Sequence, residues 1–403
     1  MNNNNHLILA GWLIDGSGEH IKQKVILSIS DGVITAIEPF SSSELPAASQ
    51  FTDLSHCCVL PPLVDSHVHL CMSGSVDKAI RVRQLDATYE DSKPIISEHI
   101  SHHFSHGILA VRDAGDPLGS VLRFKGEKQK GSTMPVKISS AGRAWHQRDR
   151  YGSLIGRHAT EGESLDKAYK KDKSLTDYVK LINSGLNSLT VFNHQTSPQF
   201  TLEEMKAAIS HAEDRGLKVM VHANGILPVQ MALRAGAHSI EHGFFMGKEN
   251  LEAMAESQTF WVPTAYTMKA YRQCIDYSLQ NAERGVVEKN LAHQIEQIEY
   301  ARKCGVKIAL GTDAGSIGVL HGEALVEELK LLMQAGYSLV QALRCATYNG
   351  SELLGVEKEL GHITVGRPAT FLVTRGTPAQ LPRKLSYLEA IYIDGKPCQA
   401  YRR

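Results

Sequence analysis

Two histidines one residue apart, His67 and His69, close the apolar run Val59-Leu-Pro-Pro-Leu-Val-Asp-Ser. On an extended backbone, residues i and i+2 point to the same side, so both imidazoles can grip one cation. A chain with 19 histidines offers such pairs by chance, and the weight of this one lies in its place at the end of an apolar segment. Other ligand-type side chains repeat that placement. His222 closes Lys218-Val-Met-Val, His242 closes Ser239-Ile-Glu, and Asp313 follows Val306-Lys-Ile-Ala-Leu-Gly-Thr. Gly243 after His242 lets the backbone turn sharply. A carboxylate at the position of Asp313 can bind metal and also take a proton from bound water. Lys180 stands inside Tyr178-Val-Lys-Leu-Ile, where an unpaired ammonium is costly. Two readings stay open for it. The side chain snorkels to a pocket mouth, or burial and nearby metal keep the amine neutral and it captures carbon dioxide as a carbamate that bridges two cations.

Something must bring these positions together. The middle of the chain alternates apolar runs with helical patterns. Strands are expected at Val59–Val64, Ile108–Arg112, Val136–Ser139, Tyr178–Ile182, Lys218–His222, Ser239–His242, Thr259–Val262 and Lys307–Leu310. Amphipathic stretches lie between several of them. In Thr201–Arg215, Leu202, Met205, Ile209 and Ala212 recur at helical spacing behind the capping-box pattern Thr201 to Glu204. This is the alternation of an α/β protein built as a parallel (β/α)8 TIM barrel, whose functional side chains stand at the C-terminal ends of the strands. The chain ends read differently. Leu7–Asp15, Lys24–Ser30 and Val33–Glu38 are strand-like, as are Gly361–Val365, Thr370–Thr374 and Leu388–Ile393, and Asp31-Gly32 and Asp394-Gly395 are hairpin turn signals. The expected division is a barrel over residues 59–358, with a small β-sandwich made from both ends, 1–58 and 359–403.

Composition narrows the function class. Lys plus Arg and Asp plus Glu are both 43, so the formal net charge is zero and nothing marks a nucleic-acid or anionic-membrane partner. No secretory signal opens the chain, and no apolar run approaches the ~20 residues of a transmembrane helix. Seven cysteines without a paired spacing read as reduced thiols in the cytoplasm. A small-molecule substrate is the expected partner, with a homo-oligomer compatible.

The order Val64-Asp-Ser-His-Val-His, Tyr178-Val-Lys, Val221-His-Ala, Ile240-Glu-His-Gly and Gly311-Thr-Asp-Ala-Gly resembles the amidohydrolase superfamily. Within it the chain is similar to the binuclear-metal branch with a carboxylated lysine, which includes imidazolonepropionase-like enzymes and Xaa-Pro dipeptidases. Val111-Arg-Asp-Ala-Gly, Asn183-Ser-Gly, His321-Gly and Gly361-His-Ile-Thr-Val-Gly-Arg-Pro-Ala extend the likeness from about residue 6 to the C-terminus. The resemblance implies that His67, His69 and Asp313 hold one divalent ion, that His222 and His242 hold a second, and that carboxylated Lys180 bridges them, with zinc the default ion. It further implies C–N bond hydrolysis by a metal-bridging hydroxide, with Asp313 carrying the proton to the leaving nitrogen. An amide, a peptide (an Xaa-Pro-type dipeptide first) or an N-acyl amino acid is the leading substrate class. Cyclic amide or imidazolone hydrolysis and urea or carbamate hydrolysis are the nearest alternatives. A mononuclear deaminase would do without the lysine, and a non-catalytic scaffold would be expected to have lost ligands. His321, in the Gly-rich loop after Asp313, is expected at the catalytic site or in a structural role. In Trp145-His-Gln-Arg-Asp-Arg-Tyr-Gly, His146, Arg148 and Tyr151 are expected to contact substrate or to belong to a solvated lid. Asp65 is expected to orient a ligand histidine, and Cys71 and Met72 to pack.

Overall fold

The computed structural model describes residues 6–41, 51–128, 135–278 and 282–401. Four strands open the chain: β1 (His6–Leu13), β2 (Lys22–Ser30), β3 (Val33–Pro39) and β4 (Phe51–Leu60). The middle holds β5 (Leu63–Val68), β6 (Ile108–Asp113), β7 (Lys137–Ser140), β8 (Ala144–Trp145), β9 (Gly156–Arg157), β10 (Val179–Ile182), β11 (Val219–Ala223), β12 (Ser239–His242) and β13 (Phe260–Val262). The chain closes with β14 (Phe371–Arg375), β15 (Ala390–Ile393) and β16 (Lys396–Pro397).

Both chain ends enter one seven-stranded sheet, in the order β16-β15-β14-β4-β1-β2-β3. Its hairpins are the ones the turn dipeptides predict. Asp31 and Gly32 have φ of +49° and +81°, and Asp394 and Gly395 have +48° and +76°. Two successive left-handed residues match the twist of the strands they join, hence Asp-Gly at both places. Val25, Leu27 and Ile29 alternate inward from β2, onto a cluster that includes Ile8, Ile34 and Phe371. Phe371 and Tyr392, directly paired across β14 and β15, stack with ring centroids 4.7 Å apart. The expected strand Gly361–Val365 is absent. Gly361 and Gly366 adopt φ of +90° and +83°, and Ile363 N bonds instead to Asp15 O.

The middle strands form two sheets, β5-β6-β7 and β13-β12-β11-β10-β8-β9, in which every pairing is parallel. Helices alternate with the strands and cover them, so the domain is α/β and TIM-barrel-like. The strand expected at Val59–Val64 is two strands. Pro61 and Pro62 donate no backbone hydrogen bond and break the ladder, sending Phe51–Leu60 to the end sheet and Leu63–Val68 to the parallel one. The run Lys307–Leu310 forms no ladder; it makes a single bridge, Trp261 to Ile308, and the chain beyond bonds to β5 through Ser66 N to Leu310 O and Asp313 N to His67 O, both 2.8 Å. The helix expected from Thr201 is Leu202–Glu213, and its capping box is formed. One large core, including Val64, Val111, Val221, Ile240 and Leu310, fills the space between strands and helices. Among the described residues, no helix is long and apolar enough to cross a membrane.

Gly311 marks the tightest approach beside the ligand-type residues. A Cβ there would lie 2.5 Å from Val262 Cγ1 and 2.8 Å from His67 N. Overpacking of this kind costs about 1–3 kcal/mol. Gly311→Ala is therefore expected to lower urea stability by that amount, and an unchanged midpoint would show that the segment 311–313 is not wedged between β5 and β13.

Candidate metal centre

The register of the parallel strands explains how distant residues meet. Ile182 pairs with His222, and His222 with Glu241, so these positions share a face. Lys180 lies on that face two residues deeper, and its four-carbon stem spans the difference. It is 1% exposed. Strict alternation would send His242 to the opposite face from Glu241. Its φ of +65° ends the extended run, and the ring lies 4.6 Å from that of His222 and 4.9 Å from that of His67. Asp313 is left-handed too, at φ +59°. Non-glycine residues seldom adopt this conformation, and it persists only where surrounding contacts impose it. Around His242 those contacts are Trp261 Nε1 and Gln294 Nε2, which donate to its carbonyl at 3.0 and 2.6 Å. Around Asp313, Ser316 Oγ donates to Oδ2 at 2.8 Å.

Each imidazole is tied at one nitrogen. His67 Nδ1 donates to Glu241 Oε2 at 2.6 Å, and His69 Nδ1 donates to Gly115 O at 3.0 Å. His222 Nε2 donates to Gly185 O at 3.1 Å, and His242 Nδ1 is hydrogen-bonded to Thr264 Oγ1 at 2.7 Å. The Nε2 atoms of His67 and His69 stand 3.5 and 3.4 Å from Asp313 Oδ1, and the three side chains offer ligand atoms all within 4.8 Å of one another. In its neutral form each ring turns a bare Nε2 toward the Asp313 carboxylate, an arrangement that a cation between them would stabilise. That donor set fits a divalent ion.

Burial lowers His67 to about 4, with Lys180 adding to the effect and Glu241 opposing it. His242 falls to about 3 through burial and the neighbouring His67, and His222 falls well below its ordinary value through burial and His242. These rings are neutral near pH 7, the form that binds metal. His69 moves up, because Asp313 outweighs its burial. Burial pushes the Asp313 carboxyl up, but His69, His67 and His242 together hold it well below the usual range. Lys180 is drawn down to about 8 by burial, against the pull of Glu241. Its ammonium has no hydrogen bond or ion pair among the described residues, so both the position and the proton affinity suit a modified amine.

His67, His69, Lys180, His222, His242 and Asp313 all line one cavity of about 320 Å³. Tyr151 lines it as well, its ring 5.3 Å from that of His222. His146 and Arg148 do not. They face a second cavity, where His146 Nδ1 donates to Gln147 O and Arg148 lies 3.6 Å from Glu161. Gly152, with φ +136°, folds the chain back against His146, and Tyr151, Leu154 and Ile155 line the first cavity while residues 146–149 line the second. His321 is also placed elsewhere. It stacks on His99 with centroids 3.9 Å apart, accepts from His103 Nε2 at 3.0 Å and donates to Met72 O at 2.7 Å. It props the chain beyond the His67/His69 pair from behind, away from the cavity. Asp65 holds backbone in place of an imidazole, accepting from Thr312 N and Oγ1 and from His67 N. Cys71 is buried and Met72 lines the cavity.

Sequence reasoning missed the group that orients His67. Glu241, fully buried, accepts from Arg112 Nη2 and Ser239 Oγ, both at 2.6 Å, through Oε1. Burial alone would raise its carboxyl, but Arg112 and His67 hold it at about 2. The signal was present in the sequence: polar Ser239 and Glu241 alternate in one apolar strand, and Arg112 interrupts another.

A sequence model of the amidohydrolase family matches residues 58–398. The chain is 25% identical to the imidazolonepropionase of Shewanella sp. (strain ANA-3) over 402 residues, covering 88% of each. Among solved structures it is similar to a Xaa-Pro dipeptidase with bound methionine in the active site, at 27% identity and a TM-score of 0.81, over 98% of this chain and 99% of that one. The ochratoxinase of A. niger shares the fold at 19% identity and a TM-score of 0.79, over 98% and 96%.

Glu241→Gln strips the charge that compensates buried Arg112, and breaking such a pair costs about 3–5 kcal/mol. Urea unfolding should show a loss of that size; a change below 1 kcal/mol would mean the pair is not load-sharing. The histidines predict a pH dependence as well. Between 6.5 and about 4 for His67, and on to about 3 for His242, the unfolded chain binds protons that the folded chain does not. His67 and His242 in chelator-treated protein therefore contribute stability that is lost as pH falls from 6.5, by up to ~1.4 kcal/mol per pH unit for each, while Asp65 and Asp113, raised by burial to about 7 and about 6, act in the opposite sense. The stability of the parent relative to His242→Gln should fall between pH 7 and 5, and a constant difference would contradict this.

Proposed function

The chain belongs to the amidohydrolase family and is a hydrolase acting on carbon–nitrogen bonds, and from that premise we propose that it cleaves the amide bond of a small molecule at a centre of two divalent cations. His67, His69 and Asp313 would hold one ion, His222 and His242 the other, and Lys180, carboxylated by carbon dioxide, would bridge them. Zinc suits a set of imidazoles and carboxylates. The bound ions would supply Lewis acidity toward the scissile carbonyl and acidity to water. The observation that carries this reading is the convergence of all six side chains on one cavity, with the Lys180 amine buried and without a hydrogen bond or ion pair among the described residues.

The protein's own residues do the rest. Asp313, kept ionised by its histidine neighbours, takes the proton of the attacking water and delivers it to the leaving nitrogen. Glu241 and Gly115 O fix the rings of His67 and His69 so that Nε2 faces Asp313. Tyr151 stands beside His222 at the cavity wall, where its hydroxyl can meet a polar group of the substrate. Met72, Phe244, Met268 and Ile317 make much of the wall apolar, and Leu85, Leu154 and Leu186 remain 40%, 45% and 57% exposed on it. Such a surface favours an apolar substituent and excludes water from the reacting bond. A dipeptide or N-acyl amino acid with an apolar side chain is the substrate class proposed first. The likeness to an imidazolonepropionase favours ring opening of a cyclic amide as the second reading.

The same reading takes the parallel strands as one closed (β/α)8 barrel over residues 59–358, supported by the hydrogen bonds from the 307–314 segment to β5 and from Asp177 N to Ser140 O. The chain ends, 1–58 and 359–403, are proposed as the sandwich-like second unit. Seven free cysteines support a reducing, cytoplasmic setting.

Metal-loaded protein should hydrolyse one class among dipeptides, N-acyl amino acids, cyclic amides and lactones, and elemental analysis should find two ions per chain. Lys180→Ala should lose more activity than the 10–100-fold that outer partners of metal ligands typically carry, and should bind fewer ions. One tightly bound ion together with an unmodified lysine in the parent protein would sink the binuclear centre.

A further inference from the structure

The cavity wall also carries a guanidinium, Arg81, that makes no ion pair among the described residues, although Asp313 lies near enough to attract it. Arg81 belongs to the helix Lys78–Leu85, whose start is fixed by the Asp77 side chain accepting from Ala79 N and Ile80 N. Arg81 and Leu85, four residues apart on one helix face, both line the cavity of the metal-ligand residues. Arg81 Nη1 donates to Gly315 O at 3.0 Å and reaches Ser75 O at 3.5 Å. Both acceptors are neutral carbonyls, and among the described residues no carboxylate forms an ion pair with the guanidinium. Nη2 and Nε keep donors to offer. A guanidinium half-withdrawn from water and given only carbonyls retains an unmet attraction for an anion, and its planar fork matches a carboxylate through two parallel bonds.

Position says which half of a substrate would carry that anion. Gly315 lies two residues beyond Asp313, so Arg81 is bolted to the loop that presents the proton-carrying carboxylate. The leaving nitrogen must lie next to Asp313 to receive its proton. In an N-acyl α-amino acid, the carboxylate is separated from that nitrogen by a single carbon. Tyr271, which also lines the cavity and interacts with Arg81, brings a further hydroxyl to a carboxylate bound there.

We infer that Arg81 binds a carboxylate on the leaving-amine half of the substrate, so that the molecule cleaved is an N-acyl α-amino acid or a dipeptide releasing its C-terminal residue. The inference rests on the amide-hydrolase reading above and narrows it to anionic substrates. In the reaction, water adds its oxygen to the acyl carbon and the C–N bond breaks. Both water protons pass to the nitrogen, one of them by way of Asp313, so that a carboxylate and a zwitterionic amino acid leave.

The test compares N-acetyl-L-leucine with N-acetyl-L-leucinamide, which differ in the carboxylate alone. Calorimetric binding to chelator-treated protein, where nothing turns over, should favour the acid by about 10- to 100-fold, the range of a charge-assisted hydrogen bond. Arg81→Met should erase that preference and leave binding of the amide unchanged, and Arg81→Lys should keep part of it. With metal-loaded protein, kcat/KM for an anionic substrate should fall in Arg81→Met chiefly through KM. Equal affinity for acid and amide in the parent protein, or a preference that survives in Arg81→Met, overturns the inference even if amides are hydrolysed. An Arg81-dependent preference in a protein that hydrolyses no amide keeps the carboxylate site and removes the amide-hydrolase reading.

Discussion

The buried chain of charge from Arg112 through Glu241 to His67 is the interaction on which the rest of the centre depends. It joins three strands, β6, β12 and β5, with bonds of 2.6 Å at each junction. Removing a guanidinium and a carboxylate from water is expensive, and close geometry at Nη2 offsets it although Arg112 Nε is buried without a partner among the described residues. Here Ser239 Oγ donates to the carboxylate, accepts from Arg112 and closes the triangle, and the Tyr178 ring lies 5.2 Å from the guanidinium carbon. The charge also acts locally on His67. With Nδ1 committed to a carboxylate, the imidazole keeps a single tautomer, and Nε2 is left bare toward Asp313. A stabilising pair in the sheet thereby sets which ring nitrogen faces the cavity.

A second constraint is strain. His242 and Asp313 are both left-handed and both end runs of extended backbone, at about 1–3 kcal/mol each. In an extended conformation His242 would turn into the helical layer and away from His222. The strain is held by groups outside the cavity: Gln294 and Trp261 fix the His242 carbonyl, and Ser316 fixes the Asp313 carboxylate. A side chain at position 311 would collide with Val262 and His67 N, so only glycine there lets the Asp313 loop lie this close to His67. The centre is thus assembled against local backbone preference, and core packing from several elements supplies the difference.

This explains what the sequence revealed and what it concealed. His67, His69, Lys180, His222, His242 and Asp313 were legible because each follows or interrupts an apolar run, and strand ends in a parallel α/β domain converge by topology. The Asp-Gly hairpins and the Thr201 capping box were legible because their chemistry is local. Residues whose role depends on tertiary neighbours were not. His321 follows Asp313 by eight positions, yet its ring meets His99 and His103 of the helix Tyr89–Ser105, a contact between segments more than 200 residues apart. His146 and Arg148 share a loop with Tyr151, but the loop doubles back and divides them between two cavities. Pro61-Pro62 fell inside the run read as one strand, Val59–Val64, and the strand Phe51–Leu60 was hidden by the polar residues on its exposed face.

Among the histidines, what separates ligand from prop is the environment of the ring's second nitrogen. His99, His103 and His321 bond to backbone carbonyls and to each other, and all three are held below their ordinary value, burial first. His103 Nδ1 is buried with no partner in that stack, so the group is an acceptor-rich, neutral packing element and offers no converging carboxylate. At the strand ends His67, His222 and His242 are likewise held neutral by burial, while Asp313 raises His69, and all four rings face Asp313 and Lys180 across open volume. Burial and a lowered proton affinity are therefore common to both sets. An anionic acceptor and space for a cation distinguish the centre, and the same logic sets Arg81 apart from Arg112. Arg112 is matched internally by Glu241 and serves the framework, whereas Arg81, lining the same open volume, donates among the described residues only to carbonyls and is left to find its ion-pair partner in what the cavity receives.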